Sequence, residues 1–171
     1  MYIFPKEGTV TSKLQAPFPS HEIEWRIQQS GVSNKDGRPW AMVLAYVSAR
    51  AIQRRLDDVF GWDGWNVEYK QLQNGIICRL TVKREDGGQI FKEDGSPETD
   101  IESFKGGISG SLKRVAASGL GIGRYLYYLD SGFAETSLEF VKGWNKAKAK
   151  DTHFWWAPPA MPLWALPENK K

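Results

Sequence analysis

Residues 65–92 read WNVEYKQLQNGIICRLTVKREDGGQIFK, and this stretch decides the fold. Trp65, Val67 and Tyr69 alternate with polar residues, as one half-buried strand requires. Asn74-Gly75 then supplies the pair that a two-residue hairpin turn favours, because both positions tolerate positive φ. Ile76, Cys78, Leu80 and Val82 form one face of the next strand, and Arg79, Thr81 and Lys83 form the other. Asp86-Gly87-Gly88 is a second turn, and Gln89 to Lys92 continues as a third strand. An antiparallel meander is therefore expected here, with Cys78 in the core as a small hydrophobe.

Working outward, Ser20 precedes Glu22 and Glu24, a helix-start pattern that predicts a helix to about Gln29. Ala41 to Val59 is read as one long helix, because Leu44, Val47, Ala51, Leu56 and Val59 keep helical spacing. Arg50, Arg54 and Arg55 fall on its second half. Asp94 to Asp100 reads as a polar loop, and Thr99 with Glu102 fits a capping box for a helix from about Ile101 to Ser118. Gly119-Leu120-Gly121-Ile122-Gly123 ends that helix, and Arg124 to Leu129 is a further short one. The expected class is α+β, a β-β-β-α core in which the meander packs on a long helix with flanking helices. The division expected is 1–134 as the domain and 135–171 as a basic tail rich in Trp and Pro.

On a wheel at about 100° per residue, Ile101, Phe104, Ile108, Leu112 and Val115 form one stripe, expected to face the core. Gly106, Gly107, Gly110, Lys113, Arg114 and Ala117 lie opposite. Glycine within a helix costs about 1 kcal/mol relative to alanine, so three on one face need a reason. Close approach of a phosphate backbone, with Lys113 and Arg114 to neutralise it, is one. Close packing by another helix or a second subunit is the other.

Charge distribution has the same double reading. Seven acidic residues and one basic residue lie between Glu85 and Glu102, whereas Ser103 to Leu129 holds no acid but carries Lys105, Lys113, Arg114 and Arg124. Such a stretch fits either a polyanion or a solvated helix face. In the tail, Lys142, Lys146, Lys148 and Lys150 accompany Trp144, Trp155, Trp156 and Trp164. These suit stacking on DNA, packing on a neighbouring subunit, or docking on the parent domain.

Several function classes find little footing. One Cys and two His, His21 and His153, do not make a zinc site of the usual kind. There is no Walker A sequence, and Gly119-x-Gly121-x-Gly123 follows a helix where a dinucleotide loop follows a strand. The spacing of Asp94, Ser96 and Glu98 does not make a calcium loop. Asp57-Asp58 and Glu85-Asp86 could in principle hold magnesium for a nuclease, and solvated charge is the ordinary role of such pairs. No leader or membrane span is read, so a cytoplasmic protein is expected.

Three pieces together resemble the Rad-fifty-two family of single-strand annealing proteins, particularly its phage branch, over about Pro17 to Ala134. They are Phe60-Gly61-Trp62-Asp63-Gly64-Trp65; the order helix, strand meander, long helix; and Lys105-Gly106-Gly107-x-Ser109-x-Ser111-Leu112-Lys113-Arg114-Val115-Ala116, followed by Gly121-Ile122-Gly123-Arg124-Tyr125-Leu126-Tyr127. The resemblance implies a ring-forming subunit that holds single-stranded DNA in a positive groove and anneals complementary strands in recombination and repair, without ATP, cofactor or catalytic residue. It implies a DNA site at Lys113 and Arg114, with Lys105, Arg124, Arg50, Arg54 and Lys83 as further contacts. A partner nuclease or host single-strand-binding protein often accompanies such proteins, in a bacterial host cell if the source is a phage. The recombinase-binding region of the longer eukaryotic members is not expected. A protective single-strand binder that does not anneal is the alternative, with the nuclease behind it.

Overall fold

A computed structural model describes residues 2–97, 103–129 and 132–167. Among these, nine strands form three antiparallel three-stranded sheets, with helices packed on them. The chain opens with a short helix, α1 (Val10–Leu14), capped by Thr9, whose hydroxyl accepts from the Ser12 amide at 3.0 Å. A single 3-10 turn (Ser20–Glu22) leads to β1 (Ile23–Val32), which pairs with β2 (Pro39–Val47).

This hairpin corrects two expectations. The helix expected from Ser20 to Gln29 is one turn followed by strand, and the helix expected over Ala41 to Val59 begins only at α2 (Ala49–Phe60). The physical reason is long-range pairing: Ile23 lies opposite Val47 and Val32 opposite Pro39, and the ladder between them satisfies backbone groups that helices would otherwise pair internally. Ser48 is the true helix start, its hydroxyl accepting from the Ala51 amide at 3.2 Å.

The meander is present as expected. β3 (Trp65–Leu72), β4 (Gly75–Lys83) and β5 (Gln89–Pro97) lie in that order, and Leu72 faces Gly75 across a two-residue turn at Gln73-Asn74, one residue earlier than the expected Asn74-Gly75, because Gly75 is already paired in the ladder. Ile76, Cys78, Leu80 and Val82 are buried, and burial pushes the Cys78 thiol up to about 11. Residues 94–97 belong to β5, not to a loop, because the backbone from Gly75 to Cys78 offers them a full ladder.

α3 (Ser103–Val115) packs across β4 and β5. The Thr99–Glu102 capping box and Ile101 lie outside the described residues. The helix is rotated relative to the expected stripe. Leu112 and Val115 are buried, but Phe104 is 54% exposed, and Gly107 is buried in its place. A Cβ on Gly107 would lie 3.0 Å from Ile76 Cδ1, and one on Gly110 would lie 2.5 Å from Ser96 Oγ. The glycines therefore seat the helix tightly on its own meander, so the small-residue face is a packing face.

One turn of π-helix (Ala116–Leu120) and a 3-10 turn (Arg124–Tyr128) follow. β6 (Gly132–Phe133) extends the first sheet beside β2. β7 (Glu135–Ser137), β8 (Asn145–Ala149) and β9 (Thr152–Ala157) form the third sheet in the order β7-β9-β8. Its Ala149, Phe154 and Trp156 are buried with Ala41 and Val43 of β2. The larger core gathers Phe18, Ile52, Leu56, Leu80, Leu112, Ile122 and Tyr125. No helix among the described residues is long and apolar enough to cross a membrane.

Candidate nucleic-acid interface

β1 presents its two sides to different surroundings. Ile23, Trp25 and Ile27 pack inward, while Glu24 and Arg26 alternate outward. The register sets Glu24 beside Tyr46 and Arg26 beside Leu44, so these four side chains share the outer face of the hairpin. Lys113 reaches that face from α3, with its ammonium 4.9 Å from the centre of the Tyr46 ring.

The electrostatics follow from this packing. Burial and the nearby Arg26 charge hold the Lys113 ammonium below its ordinary value, against the opposing pull of Glu24. Burial and a hydrogen bond with Glu24 raise the Tyr46 hydroxyl. Lys113 thus stands over an aromatic ring, with a second cation, Arg26, and one carboxylate, Glu24, on the same face. Such a surface attracts an anion and offers a flat apolar contact next to it.

Arg114, the next residue on α3, is turned about 100° away by helical geometry. Its Nε donates to Asp94 of β5 at 3.2 Å, and Ser118 donates to the other carboxylate oxygen at 2.9 Å. Burial raises the Asp94 carboxyl, but the Ser118, Gly95 and Arg114 contacts outweigh it and hold the group below its usual range. The two adjacent cations of α3 therefore address different sheets.

The other expected contacts are dispersed. Lys105 is exposed on the first turn of α3. Arg124 is committed to backbone, its Nε donating to the Ala117 carbonyl at 2.8 Å and Nη2 to that of Ser118 at 2.6 Å, so it closes the end of the helix. Arg50 is exposed on α2, and Arg54 pairs with Glu22. Lys83 lies 3.4 Å from Asp63. Arg55 has a structural post: Nη1 donates to the carbonyls of Lys13, Leu14 and Ala16, Nη2 to that of Pro17, and the guanidinium covers the Phe18 ring at 4.1 Å.

The aromatic–glycine stretch joins α2 to β3. Gly61 holds φ +76° at the helix end, and a Cβ on Gly64 would lie 2.0 Å from the Phe60 carbonyl oxygen. Trp65 donates to Asp57 at 2.8 Å, tying the strand back to the helix. Asp57 is thereby engaged, and Asp86 pairs with Arg84 at 2.9 Å in the β4–β5 turn. Among the described residues no three His, Cys, Asp or Glu side chains are grouped as a metal would need.

Arg26, Tyr46 and Glu24 were missed by sequence reasoning. The signal was the alternation of Ile23, Trp25 and Ile27 with Glu24 and Arg26, overridden by the apparent helix cap at Ser20.

Comparison with known proteins agrees with the motif resemblance. A family model described as Rad52/22 family double-strand break repair protein matches residues 6–145. A single-stranded DNA-binding protein DdrA from Deinococcus deserti is 36% identical over 173 aligned residues, covering 97% of this chain and 74% of the relative. The DdrA of Deinococcus radiodurans is 34% identical over 173 residues, covering 97% and 72%.

Proposed function

Because this chain belongs to the Rad52/22 family of double-strand break repair proteins, we propose that it binds single-stranded DNA by the phosphate backbone and anneals complementary strands without ATP. The observation that carries this reading is the juxtaposition of Lys113, which stands over Tyr46, with Arg26 on the outer face of the β1–β2 hairpin. The names of its relatives as single-stranded DNA-binding proteins support the choice of ligand.

The chemistry required is modest. Annealing makes and breaks no covalent bond. Two cations neutralise phosphates, which lowers the repulsion between strands and releases counterions. Contact through the backbone leaves base edges free, so complementarity decides which strands pair. Arg114 and the exposed Lys105 and Arg50 are further phosphate contacts in this reading, away from that face. Copies arranged in a ring, the arrangement the family resemblance implies, would add these weak contacts into strong avidity. In support, β1 pairs on one side only among the described residues, which leaves a ten-residue edge for a second chain.

The test is fluorescence-monitored annealing of complementary oligonucleotides without ATP, for the wild type and for Arg26→Ala/Lys113→Ala. Acceleration by the wild type and its loss in a folded double variant are expected. The relatives' names favour one other reading, a protective binder. Tight binding by the wild type with no acceleration of pairing would establish that reading and overturn annealing.

A further inference from the structure

The third sheet also has two faces, and only one is accounted for by docking. Phe154, Trp156 and Ala149 turn inward against Ala41 and Val43. Strand alternation therefore turns Lys146, Lys148, His153 and Trp155 to the other side. The register sets Lys146 beside Trp155 and Lys148 beside His153, with Ser137 of β7 flanking Trp155 on its other side. Lys146, Lys148 and His153 are exposed. Phe140, 68% exposed, stands edge-on to Trp155 with ring centres 4.9 Å apart and planes at 88°.

We propose that this outward face, built on Trp155, Phe140, Lys146 and Lys148, is a second contact for single-stranded DNA. It takes bases by stacking and phosphates at the two lysines. The proposal rests on the reading that the chain binds single-stranded DNA. Two rings in a row of lysines form too small and too charged a surface for an apolar partner, and they match the alternation of flat base and anion along a strand. Lys146 and Lys148 lie two residues apart on one strand, about 6.6 Å along it, a spacing suited to successive phosphates of an extended chain. The acids are peripheral: Glu135 shares the face beyond Ser137, Glu139 lies in the bend before Phe140, and Asp151 sits in the hairpin turn. The face is independent of Lys113, since the β8–β9 hairpin packs on the inner side of the β1–β2 sheet and Lys113 lies on its outer side.

The test uses the full chain and a fluorescein-labelled oligothymidylate, followed by anisotropy across a salt series. Phe140→Ala/Trp155→Ala is expected to weaken binding about tenfold with the salt slope retained. Lys146→Glu/Lys148→Glu changes only exposed positions and is expected to weaken binding and flatten the slope. Photocross-linking of a 5-iododeoxyuridine oligonucleotide, mapped by mass spectrometry, is expected to label Trp155 or Phe140. If the wild type binds but both variants stay within twofold of it and labelling avoids residues 140–155, the second contact is overturned and the proposed function stands. If the wild type binds no oligonucleotide, the underlying reading falls too.

Discussion

Replacing Arg26 and Lys113 together should change how binding responds to salt, by an amount the geometry sets. Each cation that neutralises a phosphate of single-stranded DNA contributes about 0.7 to the slope of log affinity against log salt. Two cations share the face over Tyr46, so Arg26→Ala/Lys113→Ala should flatten the slope by about 1.4. Over the decade from 1 M to 0.1 M salt, that difference amounts to about 25-fold weaker binding at the lower salt, or about 1.9 kcal/mol. Either single variant should lose about fivefold by the same arithmetic. Glu24, the carboxylate beside them, should act in the opposite sense, so Glu24→Gln should tighten binding. Anisotropy titrations of an oligothymidylate at a series of salt concentrations compare the wild type with all four variants. A folded double variant with the wild-type slope would refute the placement of phosphate on this face.

Arg55→Ala removes a guanidinium from four backbone carbonyls and the Phe18 ring. Loss of about 3 kcal/mol is expected, lowering Tm by roughly 6–12 °C in a thermal melt. Gly64→Ala places a Cβ against the Phe60 carbonyl, which cannot swing aside; a loss of about 3 kcal/mol or more should appear as poor soluble yield and early denaturant unfolding. The Asp94 carboxyl is held below the ordinary aspartate value of 3.8 in the folded chain. Its contribution is therefore fully present above that pH and lost as pH falls through the lower folded value. Asp94→Asn should show a shallower acid loss of stability below about pH 4 in denaturant titrations, and an unchanged acid limb would count against the Arg114–Asp94–Ser118 contact.

The meander could be read directly because local and long-range demands coincide there. Cys78 and its neighbours alternate with period two, and the Asn-Gly pair marks the turn to within one residue of Gln73-Asn74, where the chain makes it. The β1–β2 hairpin was hidden for the opposite reason. Its outward residues Met42, Leu44 and Tyr46 are themselves apolar, so the run from Trp40 to Val47 shows no alternation and merges with the true helix α2. Ser48, the cap dividing strand from helix, looks like any other helical serine in sequence. The site inherited this blindness. Lys113 could be singled out on α3, but Arg26 and Tyr46 reach it only through β1–β2 pairing, which a linear pattern does not reveal. The glycines of α3 were visible as an anomaly, yet the residues they meet, Ile76 for Gly107 and Ser96 for Gly110, belong to other elements.

The like charge of Arg26 near Lys113 would link anion binding on the outer face of the β1–β2 hairpin to a proton. In the free chain, burial and a like charge ease the Lys113 proton away. A phosphate settling there supplies the missing counter-charge and restores that proton's hold. If phosphate binds on this face, binding should take up protons at alkaline pH, and affinity should decline as pH rises through the lysine's lowered value. A polyanion bound there would also relieve a repulsion that the folded chain otherwise sustains, so it should raise the stability of the fold.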